Sequence, residues 1–458
     1  MIDPAPPPGG TDVVPLRTAV RAWFAISLQT FGGPAGQIAV MQRALVDERR
    51  WIGQRRFLHA LNYCMLLPGP EAQQLAIYIG WLLNGVRGGL IAGVLFVLPG
   101  MLALLALSLI YARYGDTDVL AALFAGLAPA VVAIVAQAVV RLARRALPHP
   151  SLAGIAVAAF LALAAFGVPF PAVIAAAGLA GWALARWRPA AVAGGHEGDG
   201  GGPPPLIDDD ALHHEAPSRR RAATILAVGL VLWAVPVLAA VLLTGRDSVY
   251  TTQGLFFSGT ALVTFGGAYA VLAFVAQQAV GTYGWLSAGD MVRGLALAET
   301  TPGPLIMVVQ FVAFLGAYAD PGGLDPWLAG VLASLLTTWV TFVPCFLFIF
   351  LGAPSIERLR GNRGLAAALT GITAAVVGVI ANLALYFAVH TLFADTARGS
   401  AGPLAWELPK LGTVRPVAVA IAVLAAVMVF WLRWSVPRTL AVCAALGLAA
   451  GFAGLPVT

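Results

Sequence analysis

Charged side chains are scarce in this chain, and lysine is nearly missing. Only 10% of the 458 residues are charged, and the 27 basic residues are all arginine except Lys410. A soluble globular domain carries about 25% charged residues, so that class of protein is excluded. The three cysteines lie in apolar segments without metal-ligand spacing, which argues against a zinc site and a disulfide framework. They are Cys64, Cys345 and Cys443.

Motifs for nucleotide-driven or hydrolytic chemistry are also missing. The chain contains no Gly-x-x-x-x-Gly-Lys-Ser/Thr, His-Glu-x-x-His or Gly-x-Ser-x-Gly stretch. We therefore expect neither an ATPase nor an enzyme, and no cofactor. The net charge of +6 comes without a basic and aromatic face outside the apolar runs, so nucleic acid is not an expected partner. Arginines of this kind are typical of topology signals on the cytoplasmic side of a membrane.

Long hydrophobic runs fill most of the sequence. Hydrophobic residues make up 60% of the chain, and the runs have roughly the 18 to 25 residues that a helix needs to cross a bilayer. This pattern predicts an all-α polytopic membrane protein with about thirteen transmembrane segments. The predicted segments are 18–40, 57–83, 89–112, 119–140, 151–166, 169–187, 222–244, 252–279, 291–317, 327–352, 365–393, 414–433 and 436–455.

A polar stretch divides the chain into two halves. Residues 189–221 are rich in Gly, Pro, Asp and Arg, and this composition predicts a flexible cytoplasmic linker. Its histidines, His196, His213 and His214, could bind a metal ion, but a solvated linker is favoured because nothing fixes their geometry. The other predicted units are an N-terminal tail 1–17, a first transmembrane repeat 18–188, a connecting helix 222–244 and a second repeat 245–458.

Helix-breaking motifs recur at a constant distance in the two halves. The differences 265 − 31, 285 − 51 and 302 − 68 all equal 234. In lipid, such breaks survive only where they contact protein or a water-filled cavity, and matched breaks in two halves indicate the binding site of a transporter. The motifs are Phe31-Gly32-Gly33, Trp51 and Pro68-Gly69-Pro70, with copies at Phe265-Gly266-Gly267, Trp285 and Pro302-Gly303-Pro304.

The repeat continues beyond these motifs at a larger offset. The stretch that begins at Gly126 is similar to the stretch that begins at Gly371, and Gln137 matches Asn382, so both pairs are 245 residues apart. The increase of 245 − 234 = 11 residues predicts an insertion between the matched blocks. We expect it in the loop at 320–326.

The motifs have the residues that begin a helix. Gly tolerates the non-helical turn, and a following Pro lacks only an N–H group that would be unpaired anyway. Each break would begin a half-helix whose free N–H groups and positive dipole end attract an anion. Kinks for close helix packing are the alternative, but two registered copies favour a site. The candidate substrate-binding residues are Gly32, Gly33, Pro34, Gln37, Pro68, Gly69, Pro70, Gln73, Gly266, Gly267, Thr300, Thr301, Pro302, Gly303 and Pro304.

Two carboxyl groups within the apolar runs are candidates for ion coupling. Glu71 would lie in the first turn of its half-helix, where it could also serve only as a cap. A carboxylate that faces an anion site repels the substrate unless it is protonated, which indicates proton coupling. Glu299, three residues before Pro302, is the second candidate. Asp290 and Arg293 are expected at a solvated interface.

The orientation of the halves depends on how many segments cross the membrane. If every predicted segment crosses, equivalent helices are seven crossings apart and the halves are inverted repeats. Re-entrant Pro-Gly-Pro segments would restore parallel halves, and we favour inversion. The linker and the N-terminus are then cytoplasmic, and a turn with five arginines lies on the opposite side. These are Arg43, Arg49, Arg50, Arg55 and Arg56.

Three stretches resemble the chromate ion transporter family in its long-chain form with two fused domains. They are 31–37 (Phe-Gly-Gly-Pro-Ala-Gly-Gln), 67–81 and 298–304 (Ala-Glu-Thr-Thr-Pro-Gly-Pro). The resemblance covers nearly the whole chain outside the termini and the linker. It implies an inner-membrane secondary transporter that exports chromate, with sulfate as a competitor of similar shape and charge. The chain departs from many family members at Glu71, where they carry Asn.

We therefore predict a multi-pass exporter of chromate in the bacterial inner membrane that confers chromate resistance, with protons as the coupling ion. One alternative is transport of sulfate or another anion, with chromate incidental. Others are a passive channel and a non-transporting membrane scaffold. The two half-sites are expected to differ, because Pro34 corresponds to Ala268 and Glu71 to Leu305.

Overall fold

The computed structural model describes residues 13–31, 33–115, 117–187, 206, 218–265, 268–353, 363–401 and 404–455. Within them the chain forms sixteen α-helices and one β-hairpin. The predicted binding residues Gly32, Gly266 and Gly267 lie outside the described residues, as do the three linker histidines.

Short connections join most of the helices. Three of them continue directly into π-helical segments, at Arg43–Glu48, Gln277–Thr282 and Val427–Trp431. The helices are α1 Leu16–Ser27, α2 Gly33–Gln42, α3 Gln54–Leu66, α4 Glu71–Tyr114, α5 Asp118–Ala146, α6 Pro150–Ala164, α7 Phe170–Trp187, α8 Arg219–Thr244, α9 Val249–Val263, α10 Ala268–Ala276, α11 Ala288–Thr300, α12 Val308–Ala319, α13 Pro326–Gly352, α14 Arg363–Leu392, α15 Pro416–Ala426 and α16 Val436–Phe452.

A two-stranded sheet corrects the prediction of a purely helical chain. Strands β1 (Thr396–Ala401) and β2 (Leu404–Pro409) pair antiparallel after α14. Gly399 lies opposite Trp406, and a Cβ at Gly399 would come within 2.6 Å of the indole Nε1. Only glycine leaves room for the indole to lie across the neighbouring strand. The rest of the fold is helical, as predicted.

Four of the predicted spans contain a break. The segments 18–40, 57–83, 252–279 and 291–317 each hold two helices, separated where the sequence places Gly-Gly or Pro-Gly-Pro. The prediction of broken helices at these motifs is therefore confirmed. The number of segments that cross a membrane stays a prediction.

The chain folds back at the Pro-Gly-Pro motifs. In the second half, a Cβ at Gly294 would clash with the Phe311 ring, and a Cβ at Gly316 would lie 2.9 Å from the Trp285 ring. Helices α11 and α12 are therefore antiparallel, with Pro302-Gly303-Pro304 at the tip. In the first half the rings of Tyr63 and Tyr78 lie 5.6 Å apart across α3 and α4.

Helix α4 contains a second reversal. Asn84 (φ −142°) and Gly85 (φ 60°) have non-helical backbone angles, which divide α4 into a first arm, 71–83, and a second arm, 86–114. The arms pack closely, because a Cβ at Gly80 would lie 2.5 Å from the Gly88 carbonyl oxygen. The Asn84 amide stabilises the turn by donating to the Val14 carbonyl oxygen at 2.6 Å. The reversal agrees with the predicted boundary between segments 57–83 and 89–112.

Long helices from the two halves run antiparallel. The second arm of α4 lies against α13, with Gly89 facing Phe350 and Gly93 facing Phe346. The start of α5 and the end of α14 line a common cavity, whereas Ala146 at the end of α5 lies in one hydrophobic cluster with Val377 in the middle of α14. These two helices are therefore also antiparallel. We call the end of the molecule with β1 and β2 the hairpin end. The opposite end, where α7 stops at Trp187 and α8 begins, is the linker end.

Small residues allow helices of one half to pack on helices of the other. A Cβ at Gly126 of α5 would clash with the Cys443 carbonyl oxygen of α16, and a Cβ at Gly371 of α14 would clash with the Ala177 carbonyl oxygen of α7. The two contacts are equivalent, since 371 − 126 is 245 and both pairs join a helix to the other half. Each half therefore completes the packing of the other. Gln137, which matches Asn382, cross-links helices by donating to Val429 O at 2.9 Å.

The five-arginine turn lies at the linker end, contrary to the sequence-based topology. The backbone N–H of Leu206, a linker residue, donates to the Arg50 carbonyl oxygen at 3.1 Å. The side chain of Gln42 at the end of α2 also donates to Gln54 at the start of α3, at 3.2 Å. The α1–α2 pair therefore returns to the end from which it starts, which the assumption that every segment crosses did not allow.

Candidate anion site at four helix breaks

Two backbone hydrogen bonds join the helix breaks of one half to those of the other. The N–H of Gly69 donates to the Thr264 carbonyl oxygen at 2.8 Å, and the N–H of Gly303 donates to the Thr30 carbonyl oxygen at 2.9 Å. The bonds are equivalent, since 303 − 69 and 264 − 30 both equal 234. Each Pro-Gly-Pro tip thus pairs with a residue just before the Gly-Gly motif of the opposite half. The two pairs adjoin, because a Cβ at Gly33 would lie 3.6 Å from the Tyr269 hydroxyl oxygen. We call the region where these four segments meet the crossing.

Glycine is required at both tips. Gly69 has φ 121° and Gly303 has φ 102°, angles that are strongly unfavourable for a residue with a Cβ. Proline on each side removes N–H groups that would otherwise need partners. Gly33, with φ 74° at the start of α2, has the same requirement. The Pro-Gly-Pro sequence is therefore explained by the backbone geometry of the crossing.

A long helix packs directly against each Pro-Gly-Pro tip. A Cβ at Gly100, in the second arm of α4, would clash with the Pro302 carbonyl oxygen, and a Cβ at Gly69 would lie 2.9 Å from Cys345 Sγ of α13. The positions 100 and 345 are 245 residues apart. Sequence reasoning missed both residues, although the second offset of the repeat would have paired them.

Glutamine side chains of the first half donate hydrogen bonds to both Pro-Gly-Pro tips, and the second half has no equivalent glutamines. Gln37 donates from Nε2 to the Gly303 carbonyl oxygen at 2.6 Å, and Gln74 donates from Nε2 to the Pro68 carbonyl oxygen at 2.6 Å. The equivalent positions of the second half, 234 residues later, carry valine in both cases. Gln37 therefore stabilises the Pro-Gly-Pro tip of the other half. The sequence placed Gln37 in the binding site but did not predict this hydrogen bond.

Half-helices begin beside the crossing, as predicted. Helix α2 starts at Gly33, α10 at Ala268 and α4 directly after Pro70, while a short 3₁₀ turn, Leu305–Met307, leads into α12. The N–H groups of a first helical turn have no partner within the helix. The amides of Gly69 and Gly303 are already bonded to carbonyl oxygens, so the first-turn amides remain as donors for an anion.

One fully buried amide side chain has no partner among the described residues. Both Nε2 and Oε1 of Gln73, in the first turn of α4, are buried without a hydrogen bond. Such a group costs about 1–3 kcal/mol, so its presence at a half-helix N-terminus indicates a ligand. Thr300 and Thr301 differ, because their hydroxyls donate to the carbonyl oxygens of Leu297 and Ala298 at 2.7 and 3.0 Å.

A carboxyl group lies beside the break of the second half. Glu299 is only 1% exposed, Oε1 accepts from the Tyr269 hydroxyl at 2.5 Å, and Oε2 has no partner. A Cβ at Gly33 would lie 3.6 Å from the same hydroxyl oxygen, so the pair adjoins the start of α2. Tyr269 was missed from sequence. The first half carries Ala35 and Met65 at the equivalent positions, so only the second half has this pair.

Glu71 occupies a different environment. It is the first residue of α4, where a carboxylate is stabilised by the helix dipole. The structure therefore agrees with its predicted position in the first turn. Its role in coupling stays a prediction.

The fold and the site together define a multi-pass α-helical membrane protein with helix breaks at its centre. Six helices in the described part of the chain are long and apolar enough to cross a membrane. The chain belongs to the chromate transporter family, whose model matches residues 18–182 and 252–451. The two matched regions flank the polar linker and the whole of α8.

Relatives of this family match most of the chain. The sequence is 34% identical over 380 residues to the chromate transport protein of Pseudomonas aeruginosa, and the match covers 81% of each chain. It is 27% identical over 381 residues to the chromate transport protein of Cupriavidus metallidurans, covering 82% of this chain and 84% of the relative. A probable chromate transport protein of Synechococcus elongatus is 27% identical over 420 residues, with 91% and 96% covered. No solved structure matches the chain.

Proposed function

We propose that this protein is a secondary active transporter that exports chromate across the bacterial inner membrane and thereby confers chromate resistance. The reciprocal bonds from Gly69 to Thr264 and from Gly303 to Thr30 carry this proposal. They bring four helix breaks together, which is the arrangement that transporters use to bind a substrate near the bilayer midplane. Membership of the chromate transporter family, and relatives named as chromate transport proteins, support the substrate.

The anion would bind to backbone and amide donors between the half-helices. First-turn N–H groups at helix N-termini bind tetrahedral oxyanions without any basic side chain. Gln73 adds an amide that has no other partner among the described residues. This donor set neutralises little charge, so the substrate can also leave, as transport requires.

We propose that the two repeats, 18–188 and 245–458, are inverted and alternate between two access states. The second arm of α4 is antiparallel to α13, and α5 is antiparallel to α14. These contacts support inversion, because the repeat makes the two helices of each pair equivalent to each other. Within each half, two pairs of helices fold back on themselves without spanning the membrane. Helix α8 is the extra helix, which has no equivalent in the other half. Movement of one repeat against the other would expose the crossing to each side in turn.

The linker end is proposed to face the cytoplasm. The five-arginine turn, the start of α8 and the end of α5 all bring arginine to this end. Arginine in short loops is retained on the cytoplasmic side. The turn, which the sequence-based topology placed outside, supports this orientation once it lies beside Leu206.

Sulfate is the second candidate substrate. Backbone N–H donors recognise shape and charge, and the two tetrahedral dianions share both. Gln73, the buried side chain without a partner, offers an amide and no feature selective for chromium.

The deciding experiment is flux of labelled chromate into proteoliposomes, with proton gradients of either sign and with excess sulfate. One pH unit is expected to drive up to about tenfold accumulation for each coupled proton. Flux that ignores the gradient would indicate a channel, and no flux of either anion would indicate a scaffold. Sulfate flux without chromate flux would make sulfate the substrate.

Replacement of Gln73 by leucine is predicted to separate binding from folding. Gln73→Leu removes two buried polar atoms that lack partners, so the melting temperature is expected to stay or rise. Anion flux is expected to fall by about tenfold or more, because one hydrogen bond to an ionised group contributes roughly 1.5–3 kcal/mol. Gln278→Leu, in the π-helical segment after α10, is the control. Unchanged flux in Gln73→Leu would remove this side chain from the site.

A further inference from the structure

A basic cavity lies at the hairpin end, apart from the helix breaks. It has a volume of about 110 Å³ and is enclosed by the starts of α5, α11 and α15 and by the end of α14. Its basic lining residues are Arg293, His390 and Arg415. Sequence reasoning expected Arg293 only at a solvated interface and did not select the other two residues.

Two polar groups on the wall of this cavity lack hydrogen-bond partners among the described residues. Arg415 donates from Nη1 to the Thr391 carbonyl oxygen at 3.5 Å, whereas its Nε is buried and unpaired. Thr391 is 6% exposed, and its hydroxyl is also buried without a partner. Buried polar groups in native proteins are nearly always bonded. Two neighbouring unpaired donors beside one cavity therefore indicate an acceptor that occupies it.

Hydrogen bonds and an ion pair hold the second guanidinium in place. Arg293 donates from Nη1 to the Tyr111 hydroxyl at 2.9 Å, and the same nitrogen lies 3.7 Å from Asp290. Asp290 also accepts from the backbone N–H and hydroxyl of Ser287 in a capping box. Arg293 is therefore fixed at the cavity wall by its own helix and by α4.

The two carboxylates near the cavity have partners other than Arg415. Asp290 is paired with Arg293, and Glu407 of β2 lies 3.7 Å from His390 Nε2. His390 Nδ1 lies 2.9 Å from the Tyr386 carbonyl oxygen, so this nitrogen must be the donor. Among the described residues no carboxylate forms a salt bridge with Arg415. The Arg415 guanidinium is therefore available to a ligand in the cavity.

We propose that this cavity is a second anion site, which binds a tetrahedral oxyanion between Arg293, Arg415 and the Thr391 hydroxyl. Guanidinium groups bind such anions with directed, charge-assisted hydrogen bonds. Arg293 is six residues before Glu299 on α11, which corresponds to roughly 9 Å along the helix. We call this cavity the antechamber, because it lies on the same helix as Glu299, between the hairpin end and the crossing. Its role in transport rests on the proposed function, whereas binding of the anion does not.

Saturation binding of ³⁵S-sulfate to the full-length protein in nanodiscs tests the proposal. The unmodified protein is expected to bind two sulfates. Arg415→Gln is expected to weaken one site by about tenfold or more, as for loss of a hydrogen bond from a charged group. Arg246→Gln, an exposed arginine outside the cavity lining at the hairpin end, is the matched control and should retain both sites.

Thr391→Val is a second test of the same site, which still decides the question if Arg415→Gln does not fold. Valine has the shape of threonine and removes an unpaired buried hydroxyl, so the melting temperature is expected to stay or rise while the same site weakens. Two sites of unchanged affinity in both Arg415→Gln and Thr391→Val would overturn the proposal, as would a single site in the unmodified protein that only Gln73→Leu removes. If Gln73→Leu instead leaves both sites unchanged while Arg415→Gln removes one, the antechamber stands and the central site is wrong.

Discussion

Gly100→Ala is expected to abolish most of the anion flux, although alanine favours a helix more than glycine does. Gly100 lies inside the second arm of α4, and its new Cβ would clash with the Pro302 carbonyl oxygen. Overpacking of this kind costs typically about 1–3 kcal/mol, which is at least as large as the roughly 1 kcal/mol that alanine contributes to helix stability. The Pro-Gly-Pro tip must therefore shift, and the bond from Gly303 to Thr30 is lost with it. We expect chromate flux in proteoliposomes to fall by about tenfold or more.

Two glycines elsewhere provide matched controls for this substitution. Gly154 of α6 and Gly259 of α9 are helical, and a Cβ at either would meet nothing within 4 Å. Gly154→Ala and Gly259→Ala are expected to keep full flux and equal or higher thermal stability. If Gly100→Ala transports as well as these controls, the tip does not need its observed position, and the crossing is not the transport site.

The broken helices could be predicted because backbone chemistry is local. Glycine followed by proline favours the start of a helix over its interior, and the offset of 234 residues places Gly69 and Gly303 in register. The reciprocal bonds to Thr264 and Thr30 follow the same register. The contact between the matched breaks could therefore be predicted from their spacing, and the anion site there stays a prediction.

The path of the chain between the breaks could not be predicted in the same way. Apolar length shows that a segment can cross a bilayer, and not that it does cross. The segments 18–40 and 57–83 are long enough, yet each holds two helices, and α1–α2 returns to the linker end. That return depends on tertiary contacts such as the bond between Asn84 and Val14. The error about the five-arginine turn had this single cause.

Side-chain partners from distant parts of the sequence were missed for a related reason. Tyr269 contacts Glu299 only because α10 and α11 meet beside the crossing, and the equivalent positions of the first half carry Ala35 and Met65, which cannot form this hydrogen bond. A repeat-based search finds what the halves share. It does not find the features in which they differ, and Tyr269 with Glu299 is such a feature.

Replacement of Glu299 by glutamine is expected to uncouple transport from the proton gradient. The Glu299 carboxyl is 1% exposed, and its Oε2 has no partner. An ionised side chain at the bilayer centre costs about 2.5–3.5 kcal/mol on insertion scales. The buried carboxyl is therefore expected to be neutral here and to release its proton in an access state that exposes it to water. Glutamine is permanently neutral and can still accept from the Tyr269 hydroxyl. Gradient stimulation, up to about tenfold per pH unit for each proton, is expected to vanish while exchange of labelled for unlabelled anion continues.

Two control variants and one variant of the first half, Glu71→Gln, complete the test of which half carries the coupling. Glu48→Gln, at an exposed position near the linker end, should leave gradient stimulation intact. Tyr269→Phe keeps the carboxyl and should remain coupled, because it removes only the hydroxyl donor at Glu299 Oε1. Glu71→Gln should also remain coupled if Glu71 serves only to cap α4. The opposite pattern, with stimulation lost in Glu71→Gln and kept in Glu299→Gln, would assign coupling to the first half. Loss in both variants would indicate that the two carboxyl groups work together, one from each repeat.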